Sequence, residues 1–401
     1  MKRIAVIFGG ESVEHDVSIL TGLQFLSALD PAQYDGFPVY VDPKGRWWGG
    51  EALRERTFYP LTAAKEGLLA RLHLPLAAVR GRTPHFTAGK KGLFGGEKAI
   101  PFDIAVPAIH GSNGEDGTLQ GLLELLGIPF TGSPALGSAA TMDKDFTKRT
   151  LKGLGVPVLD HILLERPAAE AAFDPDMVRG RIATAFGGKP FPLIVKPNRL
   201  GSSIGVAKAD DFEAVLAALL VCSRLDYEAL IEPFVPNLAE YNVAVTRAFG
   251  PLRASVIERP LKINEVLAFK DKYLAAGDGG PKLKAAASEG MASLNRVIEP
   301  KEIGTARKEN LRALALKAFE AFKLAGSVRV DFLSNEKTGE LWLNEINTVP
   351  GSFAFYLWGA SQPRASFTDL ATALISEGFA RADLMHRDTD RLIGGGIIFK
   401  E

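Results

Sequence analysis

The stretch that decides the fold reads Phe191-Pro192-Leu193-Ile194-Val195-Lys196-Pro197-Asn198-Arg199-Leu200-Gly201-Ser202-Ser203-Ile204-Gly205-Val206. An apolar run delivers a lysine, passes through a Gly/Ser loop and resumes as a second short apolar run, which predicts strand, loop, strand. Lysine supplies a compact positive charge for phosphate. Glycine and serine let successive backbone N–H groups converge on an anion. Far downstream, Arg329-Val330-Asp331-Phe332 and Leu343-Asn344-Glu345-Ile346-Asn347-Thr348 alternate polar with apolar residues. A strand sends alternate side chains to one face, so Glu345 and Asn347 project together. With Asp331 they form a set of hard oxygen ligands suited to Mg²⁺ already bound to phosphates. A phosphate lysine and a magnesium cluster on one chain point to nucleotide chemistry.

The 401 residues are enough for about two or three domains. Lys+Arg and Asp+Glu number 47 each, and the resulting zero net charge argues against a broad nucleic-acid footprint. A local basic groove would survive that test. Cys222 is the only cysteine, so neither an internal disulfide nor a thiolate metal cage is possible, and its place in the apolar run Val215–Cys222 makes it a core filler. No apolar stretch approaches the ~20 residues of a membrane helix. Ile4–Phe8 is too short for a signal peptide and reads as a first strand, so a cytoplasmic protein without a membrane partner is expected.

After Ile4–Phe8 and the Gly9-Gly10 turn, Val17, Leu20, Leu23 and Leu26 recur at helical spacing. Val39–Val41 and Ile104–Pro107 read as further strands. Alternating strands and helices up to Phe130 predict an open, mostly parallel α/β sheet. The basic, Gly-rich stretch 43–100 reads as hairpins plus one helix near Leu61–Leu72. Turn chemistry at Thr131–Pro134 and at Pro233–Pro236 suggests boundaries, giving units 1–132, 133–235 and 236–401. The second carries a helix with Asp143, Lys144 and Lys148, a helix at Phe212–Ser223 and a strand at Ala229–Glu232. The third carries strands at Tyr241–Phe249, Val328–Leu333 and Leu341–Ile346 and a helix at Lys308–Leu324. Between them Glu258–Pro300, with Gly277-Asp278-Gly279-Gly280, has the length and composition of a lid.

Other readings of these motifs fail on particular residues. Gly201–Gly205 also fits the G-x-S-x-G elbow of serine hydrolases. That elbow must lead into a helix, whereas Val206 continues an apolar run. The only downstream histidine is His386, and a hydrolase leaves Lys196 and the 331/345/347 cluster unexplained. No G-x-G-x-x-G follows Gly9-Gly10, and no Walker A sequence is present, which argues against a dehydrogenase and a P-loop NTPase. In His110-Gly111-Ser112-Asn113-Gly114-Glu115-Asp116-Gly117, Glu115 and Asp116 read as acidic N-cap residues. His110, at the carboxyl edge of a strand, is better placed for a ligand. Taken singly, Glu14 complements a helix N-terminus and Lys272-Tyr273 is a solvated pair.

Taken together, these segments resemble the D-alanine–D-alanine ligase family of the ATP-grasp superfamily. The resemblance rests on Gly9–Ser18 (GGESVEHDVS), His110–Gly121, Thr141–Lys144, Lys196–Val206, Lys272-Tyr273, Arg329–Phe332 and Asn344–Gly351 (NEINTVPG), in the family's order. It implies three domains, with ATP between the central and C-terminal ones. It further implies that Lys144 and Lys196 hold ATP phosphates under the Gly201–Gly205 loop, with Ser203 and Lys272 also at the nucleotide. Glu232 and the backbone to Val235 would meet adenine, and Glu240 the ribose. Asp331, Glu345 and Asn347 would carry two Mg²⁺ or Mn²⁺ ions. Glu14, linked through Ser202 to Tyr273, would bind the ammonium of a first D-alanine, and Arg329 with a backbone N–H near Gly351 would stabilise an oxyanion. A homodimer is expected on the same ground. Relatives commonly carry a serine a few residues past the glycine for the acceptor's carboxylate. Here Ser352 or Tyr356 stands near that place, which leaves D-serine, D-lactate or another amino acid as alternative acceptors.

Overall fold

The computed structural model describes residues 1–77, 82–89, 97–168, 173–188, 190–261 and 296–386. Three sheets organise them. The first contains β1 (Lys2–Gly9), β2 (Tyr34–Val41), β3 (Trp47–Gly49), β4 (Ala70–His73), β5 (His85–Gly89), β6 (Glu97–Pro101) and β7 (Ile104–Pro107), in the order β6-β5-β4-β3-β2-β1-β7. Strand β1 pairs in parallel with β2 and β7. Its residues Ile4 to Phe8 are all fully buried, as expected of a strand covered on both faces. Gly9 ends it with φ +94°, and a Cβ there would lie 2.2 Å from the carbonyl oxygen of Val41, so the turn admits only glycine.

Beyond β2 the pairing is antiparallel, which makes the sheet mixed. The expected helix near Leu61–Leu72 shrinks to Ala63–Glu66, and Leu72 belongs to β4 instead. The strand is too short for its alternation to register in the sequence. Its one buried residue, Leu72, is fixed by packing in a core with Phe86 and Phe102.

The second sheet has β8 (Ile162–Glu165), β9 (Leu193–Pro197), β10 (Ala207–Ala209) and β11 (Glu228–Pro233), ordered β10-β9-β11-β8 and antiparallel throughout. The strand and loop expected at 191–206 are present, but Ile204–Val206 belong to the loop, and the second strand is Ala207–Ala209, just beyond that span. Helices Pro175–Phe186 and Phe212–Leu225 cover one face, and Cys222 sits in that core.

The third sheet has β12 (Leu238–Thr246), β13 (Arg253–Pro260), β14 (Arg296–Ile298), β15 (Ser327–Asn335) and β16 (Leu341–Asn347), ordered β14-β13-β12-β15-β16. Helix Thr305–Ala321 packs on it. The ends of the expected lid are therefore ordered strand, since Glu258–Pro260 close β13 and Arg296–Ile298 form β14; 262–295 lie outside the described residues. Past β16 the chain returns to the first sheet. Val349, Phe353, Trp358 and Leu370 share one apolar core with Val6, Phe8 and Phe25, which fixes the NEINTVPG loop against the N-terminal helix His15–Ala28.

Candidate active site

A cavity of about 770 Å³ opens between the three sheets, within the range of small-molecule sites. At one end is a buried charge cluster. Helix Lys144–Gly153 starts at Asp143, whose side chain caps it by accepting from the Phe146 N–H. Its first two turns present Lys144 and Lys148 on one face, four residues apart. Nζ of Lys148 lies 3.0 Å from Oε2 of Glu232, and Nζ of Lys196, at the end of β9, lies 2.5 Å from its Oε1. Burial alone would raise the Glu232 carboxyl, but the two lysines outweigh it and hold it down to about 2. Lys196 also donates to Oδ1 of Asn344 at 3.1 Å. Lys144 donates to the carbonyl of Leu200 at 2.6 Å and stands 3.9 Å from Glu345. Lys144 and Lys196 thus flank the Gly/Ser loop as the sequence suggests. Glu232 both holds the lysines and lines the cavity beside Val235 and Glu240.

In the loop, Ser202 and Ser203 adopt φ of 53° and 59°, left-handed conformations that tighten it. Ser202 donates its hydroxyl to Oε1 of Glu14, a carboxylate and not a histidine. The chain then enters β10, not a helix, so both requirements of a nucleophile elbow fail. Glu14 is buried, and its Oε2 has no hydrogen-bond partner among the described residues. Burial and the nearby Glu345 raise its pKa, against the Ser202 hydrogen bond and the charges of Lys144 and Arg329. A buried carboxylate oxygen left unpaired in a cavity wall suits an ammonium group.

The His110 block is built differently from its sequence reading. Gly117, not an acidic residue, takes the N-cap position of helix Thr118–Leu126. Asp116 accepts from the N–H groups of Asn113 and Thr118. Glu115 accepts from Gly111 N–H at 2.8 Å and from Val349 N–H at 3.0 Å, and so straps this block to the NEINTVPG loop. Burial, then the charge of Glu14, pushes Glu115 up to about 8. His110 contacts Thr21 Oγ1 through Nε2 at 2.8 Å. Burial and Arg329 push its pKa down to about 3, which keeps the ring neutral.

Across the cavity, β15 and β16 bring the oxygen ligands together. Asp331 faces Glu345 and Arg329 faces Asn347 in the strand register. Arg329 binds Asp331 through two hydrogen bonds of 2.7 Å, and Asn347 donates to Asp331 at 3.0 Å. Burial raises the Asp331 carboxyl to about 6 against the pull of Arg329, with Glu345 and Glu258 adding to the rise. Crowded carboxylates of this kind are relieved by a cation. Among the described residues no group of three His, Cys, Asp or Glu could hold a metal. Two carboxylates and an amide form an incomplete shell, which fits a cation whose remaining ligands are phosphate oxygens.

Gly351 and Tyr356 line the cavity. Ser352 does not. It is buried beside the N-terminal helix, donating its hydroxyl to Gln24 and its N–H to Thr21 Oγ1. Lys272 and Tyr273 lie outside the described residues. Sequence alone does not single out Glu115, Asn242, Asn344 or Glu258 as parts of this wall, nor Lys148 as the buried partner of Glu232 behind it, although its four-residue offset from Lys144 is a usable signal.

Residues 3–133 match the family model described as D-ala D-ala ligase N-terminus, and residues 150–376 that described as D-ala D-ala ligase C-terminus. Curated relatives include the D-alanine--D-alanine ligase of Thermoanaerobacter sp., 34% identical over 94% of this chain and 96% of that protein. That of Sodalis glossinidius is 36% identical over 90% and 91%. Among solved structures, the D-alanine-D-alanine ligase from Coxiella burnetii superposes with a TM-score of 0.74 at 25% identity, covering 98% of this chain and 97% of that one. The VanG D-Ala:D-Ser ligase from Enterococcus faecalis gives 0.72 at 25% identity, covering 94% and 99%.

Proposed function

The chain belongs to the D-alanine–D-alanine ligase family, and from that premise we propose that it joins two D-alanines to D-alanyl-D-alanine while ATP becomes ADP and phosphate, for peptidoglycan precursor synthesis. The observation that carries this reading is the meeting, in one cavity, of an anion pocket at Lys144 and Lys196 with the unpaired carboxylate oxygen of Glu14. Triphosphate and amino acid would lie side by side there.

The residues divide the work as follows. Lys144, Lys196 and the loop bearing Ser203 hold the phosphates, while Val235 and Glu240 border the nucleoside. Glu14, oriented by Ser202, takes the ammonium of the first D-alanine, so its carboxylate points at the γ-phosphate. Attack there gives an acyl phosphate. The amine of the second D-alanine adds to that carbonyl, and phosphate leaves from the tetrahedral intermediate. Arg329 and the backbone at Gly351 stabilise the oxyanion. Most of the barrier reduction in such a transfer comes from alignment and charge neutralisation. Asp331, Glu345 and Asn347 would hold Mg²⁺ or Mn²⁺, two ions by family resemblance, which when bound neutralise charge on the transferring phosphoryl group. Lys272 and Tyr273 would act from the segment between β13 and β14.

We further propose units 1–132, 133–235 and 236–401, one for each sheet, and a cytoplasmic homodimer; no helix among the described residues is long and apolar enough to cross a membrane. A different acceptor is the second reading, favoured by Tyr356 in the cavity wall. Phosphate release measured against a panel of D- and L-amino acids and D-lactate decides between them. ATP-dependent D-alanyl-D-alanine is the expected product, and its absence with every acceptor would refute the ligase reading.

A further inference from the structure

The sheet face that closes the cavity carries a row of polar side chains across four strands. Glu258, Asn242, Asp331 and Glu345 are successive register partners on β13, β12, β15 and β16, and all four line the cavity. The Asp331–Glu345 half serves the phosphate chemistry described above. The Glu258–Asn242 half has no part in it.

Both carboxylate oxygens of Glu258 are engaged. Oε1 lies 2.8 Å from Nη1 of Arg296, and Oε2 accepts from Asn242 at 3.1 Å and from the Tyr356 hydroxyl at 2.6 Å. The Arg296 guanidinium also lies over the Tyr356 ring, 4.2 Å from its centroid. Tyr356 stands in the short helix Phe355–Ala360, directly after the NEINTVPG loop, and forms part of the cavity wall. It is thus held three ways, by its backbone helix, its hydroxyl and its ring face.

The held ring lines the same cavity as Arg329, Asp331 and Gly351, where the proposed oxyanion site lies. We propose that Tyr356 is a specificity-determining residue, whose fixed ring is the wall against which the acceptor's side chain packs and which restricts acceptors to small ones. The inference rests on the ligase reading of the site. A tyrosine free to rotate would swing aside for a larger substrate; this one would first have to break its bond to a buried carboxylate and leave the guanidinium. Because the hydroxyl proton already goes to Glu258, the residue reads shape and not polarity. Diverting that proton to a substrate would leave a buried carboxylate oxygen short of a donor.

The test is mixed dipeptide formation with ATP and D-alanine, using D-alanine or D-valine as acceptor and reading the ratio of kcat/KM by mass spectrometry. Tyr356→Ala is expected to lower the wild-type preference for D-alanine by about tenfold or more, the scale of added methylenes in a pocket. Tyr356→Phe, which keeps the ring, should hold the ratio within about threefold. If Tyr356→Ala does not fold, Tyr356→Leu and Arg296→Lys carry the same test, each with a lowered ratio expected. An unmoved ratio in the soluble ring-deleted or ring-loosened variants, or a collapse in Tyr356→Phe, would overturn the proposal. Wild-type protein that forms no dipeptide refutes the ligase reading itself, whereas active wild type with an unmoved ratio refutes only the role of Tyr356.

Discussion

Replacing Glu232 by glutamine removes the one anion between Lys148 and Lys196, whose side chains are 1% and 7% exposed. The magnitude follows from the carboxyl's shift from 4.5 to about 2. At 1.36 kcal/mol per unit that is ~3 kcal/mol of preference for the ionised form in the folded state. It agrees with the 3–5 kcal/mol expected on breaking a buried pair. Urea unfolding at pH 7, followed by tryptophan fluorescence, should therefore show Glu232→Gln less stable by about 3 kcal/mol. Lys148→Met should lose less, ~2 kcal/mol, because Glu232 keeps Lys196. The pH dependence has a definite sign. The folded pKa is depressed, so the contribution is fully present above the unfolded value of 4.5 and disappears as pH falls through about 2. The gap between wild type and Glu232→Gln should stay level from neutral pH down to near 5 and narrow below that. A loss under ~1 kcal/mol at pH 7, or a gap that widens on acidification, would show that the lysines do not depend on this carboxylate.

Glu345→Gln should lower turnover by ~100-fold or more with little change in thermal midpoint, because it weakens charge neutralisation at the phosphates without emptying a core; full activity in the variant, or in excess chelator, would contradict the site. Ser202→Ala should retain measurable ATP-dependent dipeptide formation, and organophosphonates should leave Ser202 unmodified by mass spectrometry, since its hydroxyl is donated to the Glu14 carboxylate and not to a histidine base; a stoichiometric adduct with no ATP requirement would restore the hydrolase reading. Burial pushes the Cys222 thiol up to about 12, so a disulfide reagent should label the native protein only as fast as it unfolds, and rapid native labelling would contradict its place in the core.

The placement of Lys196 at a strand end before the Gly/Ser loop, and of Asp331, Glu345 and Asn347 along paired strands, is legible because each signal is local and follows from the two-residue period of extended chain. The buried strand Ile4–Phe8 was legible for a related reason, since an unbroken apolar run leaves no polar face for solvent. The helix expected at Leu61–Leu72 was misjudged because four-residue strands such as β4 carry too few positions for either period to show.

What only the tertiary structure decided is which distant residues share a wall. Glu115 looks like a helix-capping acid in sequence, but it reaches the N–H of Val349, 234 positions along the chain. Nothing near Glu232 in the sequence announces that it is also the counter-ion of two lysines from separate elements. Glu258 joins the row with Asp331 only because β12 lies between their strands. Sequence periodicity fixes the face on which a side chain leaves its own element. The register and packing of elements far apart in the chain determine what that side chain meets, and no local pattern of residues encodes it.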